Sequence, residues 1–208
     1  FDGRLESDVV SYSASISASE KGSQWSQALA LLREMFDRRL ESDVVSYSAS
    51  ISASEKGSQW AQALALLREM FDRRLESDVV SYNASISASE KGSQWAQALA
   101  LLREMFDRRL ESDVVSYSAS ISASEKGSQW AQALALLREM FDRRLESNVV
   151  SYSASISASE KGSQWAQALA LLREMFDRRL ESDVVSYNAS ISASEKGSQW
   201  AQASPRLR

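Results

Sequence analysis

The sequence contains no cysteine and no histidine. Their absence excludes disulfides, thiolate nucleophiles, Cys/His zinc sites and imidazole acid–base catalysis, so we expect no metal, no cofactor and no enzyme activity. No apolar run approaches the length of a membrane-spanning helix. Basic residues are not in excess either, because 24 Lys and Arg face 28 Asp and Glu, for a net charge of -4. A polyanion could therefore bind only at a local basic stripe.

The chain instead contains one 35-residue unit repeated in tandem. Counting from Val9, the complete units are 9–43, 44–78, 79–113, 114–148 and 149–183, and 184–208 form a truncated sixth. Residues 1–8 are interpreted as the remnant of a preceding unit. Because the chain starts at Phe1, we expect any targeting peptide to lie outside it. Pro205 is expected to break the last helix in a divergent tail.

The second half of each unit is predicted to be an amphipathic helix. In the second unit its apolar residues recur at three- and four-residue spacings: Trp60, Ala63, Leu64, Leu67, Met70 and Phe71. Ser58, after Gly57, is the expected N-cap, and Glu69 and Arg73 have the spacing of an exposed ion pair. The six tryptophans lie on the apolar stripe, so we interpret them as core residues.

The first half of each unit has two interpretations. Its alternation of Ser with Val, Tyr, Ala and Ile fits a half-buried strand. On a helical wheel, however, Val44, Tyr47 and Ile51 form one stripe and other apolar residues form an opposite one, as in a helix with neighbours on both sides. We favour the helix, with Asp43 capping its start and Gly57 its end.

These residues together resemble the pentatricopeptide repeat. The shared features are the 35-residue period, the Val-Val-Ser-Tyr-Asn/Ser opening, the Glu-Lys-Gly junction, the Gln-Ala-Leu-Ala-Leu-Leu second helix and the Glu-Met near its end. The resemblance covers nearly the whole chain. It implies an all-α solenoid, a right-handed superhelix of antiparallel helical hairpins.

The resemblance also implies single-stranded RNA binding, one base per repeat, with three sets of site residues. When the repeats are aligned, each equivalent position forms a column, and two columns would read the bases. The first contains Ser13, Ser48, Asn83, Ser118, Ser153 and Asn188. The second, just before the next repeat, contains Asp43, Asp78, Asp113, Asn148 and Asp183. One column would sandwich the bases: Val10, Val45, Val80, Val115, Val150 and Val185. One column would contact phosphates: Lys21, Lys56, Lys91, Lys126, Lys161 and Lys196.

The variation among the copies bears on this assignment. Among complete units only three columns vary, and two of them are the columns that the resemblance assigns to base reading. The alternative is that Asp and Asn are interchangeable N-caps, and that Ser or Asn one turn later faces solvent. The family's pairing rules give the sequence GGUAG, followed by a pyrimidine opposite Asn188.

The chain also departs from the family. It has Ser15 where the family usually has Leu, Arg39 where it has Gly, and Ser42 where it has Pro. Each change removes a packing or turn determinant. The family suggests mitochondrial or plastid RNA processing, stability or translation. The alternative function is a protein-interaction scaffold that binds a peptide in the superhelical groove.

Overall fold

The computed structural model describes residues 2–180 and 184–196, and these residues form eleven helices and no strand. In chain order the helices are α1 Asp2–Lys21, α2 Trp25–Asp37, α3 Val44–Lys56, α4 Trp60–Asp72, α5 Val79–Lys91, α6 Trp95–Asp107, α7 Val114–Lys126, α8 Trp130–Asp142, α9 Val149–Lys161, α10 Trp165–Asp177 and α11 Val184–Lys196. The predicted all-α hairpin architecture is confirmed. The strand alternative is wrong for the described residues. None of the described helices is long and apolar enough to cross a bilayer.

The helices fall into two compact units of the chain. Unit 1 groups the described residues of 2–92 with 97–111, and unit 2 groups 93–96 with the described residues from 112 onward. In unit 1, α1 packs on α2 and α3 on α4 as hairpins, while α3 also contacts both α1 and α5. In unit 2, α9 has the same relations to α7, α10 and α11. The odd-numbered helices, called first helices below, therefore form a row within each unit.

The second helix of each hairpin supplies most of the apolar core. In α4 the buried residues are Ala63, Leu64, Leu66, Leu67 and Met70. Four of them were predicted from their three- and four-residue spacings, whereas Leu66 was not part of the predicted stripe. The stripe is wide because it contacts its own hairpin partner and the first helix of the next repeat.

The first helix is buried through small and polar residues as well as apolar ones. In α3, Tyr47 and Ile51 are fully buried, and so are Ser46, Ser50 and Ser54. Ser50 Oγ donates to the carbonyl of Ser46, and Ser54 Oγ to that of Ser50, both at 2.8 Å. These bonds within the helix satisfy the hydroxyls, so serine can lie where helices approach closely. Burial raises the pKa of Tyr47, which keeps the phenol neutral.

The turn inside each hairpin differs from the prediction. Helix α4 begins at Trp60 with Gln59 in the N-cap position and no side-chain cap bond, so Ser58 is not the N-cap. Ser58 instead has φ 56°, the left-handed conformation that ends α3. Gly57 is the C-cap, as predicted, with an ordinary φ of -78°.

A close approach, and not backbone freedom, explains the glycine in this turn. A Cβ on Gly57 would lie 2.3 Å from Trp25 Cδ1, and the same holds for Gly92 against Trp60. Trp25 and Trp60 thus each pack over the glycine of the next repeat. The tryptophans were predicted as core, but Trp25 and Trp60 are only half-buried, because they lie at the edge of the contact between repeats.

The turn between repeats explains one departure from the family pattern. The position where the family has glycine is left-handed here in every described copy, at Arg39, Arg74, Arg109, Arg144 and Arg179, with φ of 57–59°. A non-glycine residue is strained in that region by about 1–2 kcal/mol. These arginines therefore occupy a position that favours glycine.

The first helix of the chain differs from the later first helices. Helix α1 runs without interruption from Asp2, so the predicted boundary between 8 and 9 is not marked by a cap as the later boundaries are. Asp8 lies inside a helix and cannot act as its N-cap. The predictions for Asp183 and Pro205 lie outside the described residues.

Candidate nucleic-acid interface

Helices α3, α5, α7 and α9 each start at one acidic or amide side chain. Asp43 has an extended backbone, and its Oδ1 accepts hydrogen bonds from Ser46 N at 2.8 Å and Ser46 Oγ at 2.6 Å. Asp78, Asp113 and Asn148 cap α5, α7 and α9 in the same way. N-capping by this column is therefore confirmed wherever the structure describes it. Capping does not exclude ligand binding, because a carboxylate has about four acceptor sites.

In three of the repeats the structure brings the two predicted base-reading side chains together. Ser13 Oγ lies 3.4 Å from Asp43 Oδ1, Ser48 Oγ 3.3 Å from Asp78 Oδ1, and Ser118 Oγ 3.3 Å from Asn148 Oδ1. Ser13, Ser48, Ser118 and Ser153 are 7–8% exposed, so these serines do not simply face solvent. Asn83 is half-buried on α5, and Asn188 is exposed on α11.

A third serine, which the sequence analysis did not single out, joins each pair. Ser46 Oγ lies 2.8 Å from Ser13 Oγ and also bonds Asp43, and Ser81 has the same relation to Ser48, at 2.7 Å, and to Asp78. The spacing could have revealed it, because a serine three residues after a capping Asp lies where a capping box closes. Its hydroxyl holds both predicted reading side chains in place.

The predicted sandwiching valines are exposed to solvent in the described repeats. Val45, Val80, Val115 and Val150 are 53–57% exposed, although they lie one residue after half-buried valines. Large apolar side chains exposed in a regular series need an explanation beyond stability.

In unit 1, two of these valines flank an open cleft. It measures about 290 Å³ and is lined by Ser17, Glu20, Val45, Ser48, Ala49, Ser52, Asp78 and Val80. The Ser48–Asp78 pair therefore lies in the same cleft as the two exposed valines. Besides its apolar residues, the lining carries three serine hydroxyls, the capping carboxylate of Asp78 and the carboxylate of Glu20.

Three of the predicted phosphate-contacting lysines form described ion pairs with the preceding repeat. Lys56 Nζ lies 2.5 Å from Glu20 Oε1, Lys91 Nζ 2.7 Å from Glu55 Oε1, and Lys161 Nζ 2.7 Å from Glu125 Oε1. The sequence analysis did not predict these pairs, which span 36 residues. Among the described residues, no group of three or more acidic side chains is placed to hold a metal ion.

One family model matches the chain repeatedly. The model described as anaphase-promoting complex subunit 5 matches residues 10–53, 45–88, 79–121, 114–159 and 150–192. Successive windows overlap and begin about one repeat apart, so each covers one hairpin and most of the following first helix. The match thus reflects the repeated hairpin. No curated protein sequence matches the chain.

Solved structures give a more specific relation. The pentatricopeptide repeat protein PPR10, in complex with an 18-nt psaJ RNA element, matches with a TM-score of 0.72 at 25% identity over 92% of this chain. PPR10 from maize gives a TM-score of 0.64 at 24% identity over 94% of this chain. This chain spans 28% of the length of PPR10 in both comparisons.

A more distant structure supports the same fold. The PPR domain of Arabidopsis thaliana protein-only RNase P 1, in complex with tRNA, has a TM-score of 0.79 at 9% identity, over 90% of this chain and 99% of that one. At that identity the match supports the fold alone. With the 35-residue unit, its Val-Val-Ser-Tyr opening and the PPR10 match in agreement, the chain belongs to the pentatricopeptide repeat family.

Proposed function

We propose that this chain binds single-stranded RNA, with one base held at each contact between successive repeats. The observation that carries the proposal is the cleft of unit 1, where Ser48 and Asp78 lie between the exposed Val45 and Val80. Apolar side chains suit the faces of a base, and a hydroxyl with a carboxylate suits its edge. The RNA complex of PPR10 supports this assignment.

Capping and base reading are compatible in this geometry. The hydrogen bonds to Asp78 from Ser81 and Ser48 all end on Oδ1, which leaves Oδ2 as an acceptor for a base. In Asn148 the backbone N–H of Ser151 requires the amide oxygen as its acceptor, so the amide nitrogen is left to donate. The cap bond therefore fixes which atom faces away from the helix. An Asp repeat presents an acceptor, and an Asn repeat presents a donor.

The family's pairing rules then assign a base to each repeat. Ser with Asp favours G, Asn with Asp favours U, and Ser with Asn favours A. With the amino end over the 5′ end, the five complete repeats specify GGUAG, and a pyrimidine is expected opposite Asn188. Selection from a random RNA pool tests binding and register together.

The sharpest single test exchanges the fourth base. Asn148→Asp replaces the free donor with an acceptor while the cap is retained, so the preference at that base should move from A to G by about 1 kcal/mol. The measurement is the ratio of affinities for GGUAG and GGUGG, for the parent and for the variant, with thermal melting as a control on the fold. An unchanged ratio would mean that Asn148 acts only as a cap.

A second candidate, a scaffold that binds a peptide, is favoured by the family-model match, because that model carries the name of a subunit of a protein complex. Salt dependence separates the two. If five or six lysines each neutralise a phosphate, log affinity should fall with log salt at a slope of about -3.5 to -4. A salt-insensitive partner would favour the scaffold. The mitochondrial or plastid role expected from the family stays a prediction.

A further inference from the structure

Three lysines of the proposed RNA site, Lys56, Lys91 and Lys161, are already bound to carboxylates. Besides its ion pair with Glu20, Lys56 Nζ donates to the backbone carbonyl of Glu20 at 3.3 Å. Lys91 donates to the carbonyl of Glu55 at 3.1 Å, and Lys161 to that of Glu125 at 3.3 Å. Each lysine is thus held at two points by one glutamate of the preceding repeat.

The Lys56–Glu20 pair lies beside the cleft of unit 1, and not on a remote surface. Glu20 pairs with Lys56 and also lines the cleft that contains Ser48, Asp78, Val45 and Val80. The lysine side chains are 36–39% exposed and the glutamate side chains 18–19%. The ammonium groups are therefore accessible to a competing anion. Exposed pairs of this kind are weak enough to exchange.

We infer that this glutamate column, Glu20, Glu55 and Glu125 in the described pairs, limits the affinity for RNA by competing with phosphate for the lysines. The inference rests on the proposed RNA binding. When a lysine moves to a phosphate, its glutamate loses its partner and remains close to a polyanion, where it repels the backbone and takes up a cation. RNA binding is then an exchange of one anionic partner for another. The glutamate lowers affinity equally for every RNA sequence.

The test neutralises one glutamate. In Glu55→Gln, Lys91 keeps its charge and loses its ionic partner. We expect the variant to bind a 12-nucleotide RNA containing GGUAG about two- to five-fold more tightly, which is the range for one exposed ion pair. The slope of log affinity against log salt should become steeper by up to about 0.7. In the parent, Glu55 takes up a cation when RNA displaces it from Lys91, and the glutamine of the variant does not. The GGUAG to GGUGG preference should stay constant.

A double-mutant cycle shows whether the effect passes through the lysine. Glu55→Gln should tighten binding in the parent and have little effect in a Lys91→Gln background. Equal tightening in both backgrounds would mean that Glu55 repels RNA directly. The inference that Lys91 exchanges Glu55 for a phosphate would then be wrong.

The chain also offers a matched charge control. Glu69 pairs with Arg73 at 3.0 Å on α4, which contributes no residue to the cleft. Glu69→Gln makes the same charge change and should leave RNA affinity within about two-fold of the parent, since distant exposed charges are screened. If the parent binds no RNA, the proposed function fails. If it binds and Glu55→Gln has no effect, only the inference fails.

Discussion

Helices α3 and α4 of one repeat are equally long, but they bury different types of side chain. Helix α4 contributes Leu64, Leu66, Leu67 and Met70 to the core, whereas α3 buries Ser46, Ser50 and Ser54 as completely as its Tyr and Ile. The second helix stabilises the array through apolar area. The first helix is lined with small side chains, so successive first helices can pack side by side and leave polar groups at the surface between them.

The largest expected effect tests this division of roles. Leu67 and Ser50 are both buried, at 1% and 0% exposure. Leu67→Ala should lower the free energy of unfolding by about 2–5 kcal/mol through lost burial and a cavity. Ser50→Ala removes only a hydroxyl bonded within its own helix, so it should cost about 0.5 kcal/mol or less. Urea denaturation followed by the helical circular dichroism signal measures both.

Equal losses in the two variants would contradict the comparison. They would show that the serine hydroxyls stabilise the first helices as strongly as leucine stabilises the second. A smaller loss for Leu67→Ala would indicate that the neighbouring Leu64 and Met70 close the cavity.

The next effect concerns the contact between one repeat's second helix and the turn of the next. Gly92→Ala would place a Cβ 2.3 Å from Trp60 Cδ1, so the ring or the helix must shift, at a cost of about 1–3 kcal/mol. Gly22→Ala is a matched control in the same column, because its nearest neighbour would be the carbonyl of Ala18 at 3.5 Å. Thermal melting of the two variants should therefore diverge. Similar melting would mean that the tryptophan ring rotates away freely.

The second helix could be predicted from sequence more completely than the first. Its spacing of Leu and Met defines one apolar face, and that face is the buried one in α4. In α3 the apolar residues alternate with serines, so no single apolar face stands out. Its contacts with the first helices on both sides, α1 and α5, explain why the segment is helical. The Asp43 cap could be predicted from the sequence because it involves only residues three apart.

Other features depend on contacts between repeats and could not be read locally. The choice of Gln59 over Ser58 as the residue before α4 accompanies the packing of Trp25 over Gly57. The Lys56–Glu20 pair joins residues 36 apart, at a register set by how successive first helices pack. The sequence shows both side chains in every repeat without showing that they meet.

The smallest effect concerns the turn that follows the second helix. Arg74 is exposed and has φ 59°, where a Cβ clashes with the following carbonyl. Arg74→Gly should relieve this strain, although glycine also gains entropy in the unfolded chain, so the net stabilisation should be about 0.5–1 kcal/mol.

Arg74→Ala is the control for the lost guanidinium, because alanine keeps the Cβ and therefore the strain. Glycine should exceed alanine by about 1 kcal/mol in the free energy of unfolding from urea titrations. The same substitution at Arg73, whose φ is -85°, should destabilise, since no strain is relieved there and its ion pair with Glu69 is lost. If Arg74→Gly and Arg74→Ala unfold at the same urea concentration, the left-handed turn is not a source of strain. The arginine would then cost the array nothing at the position where the family uses glycine.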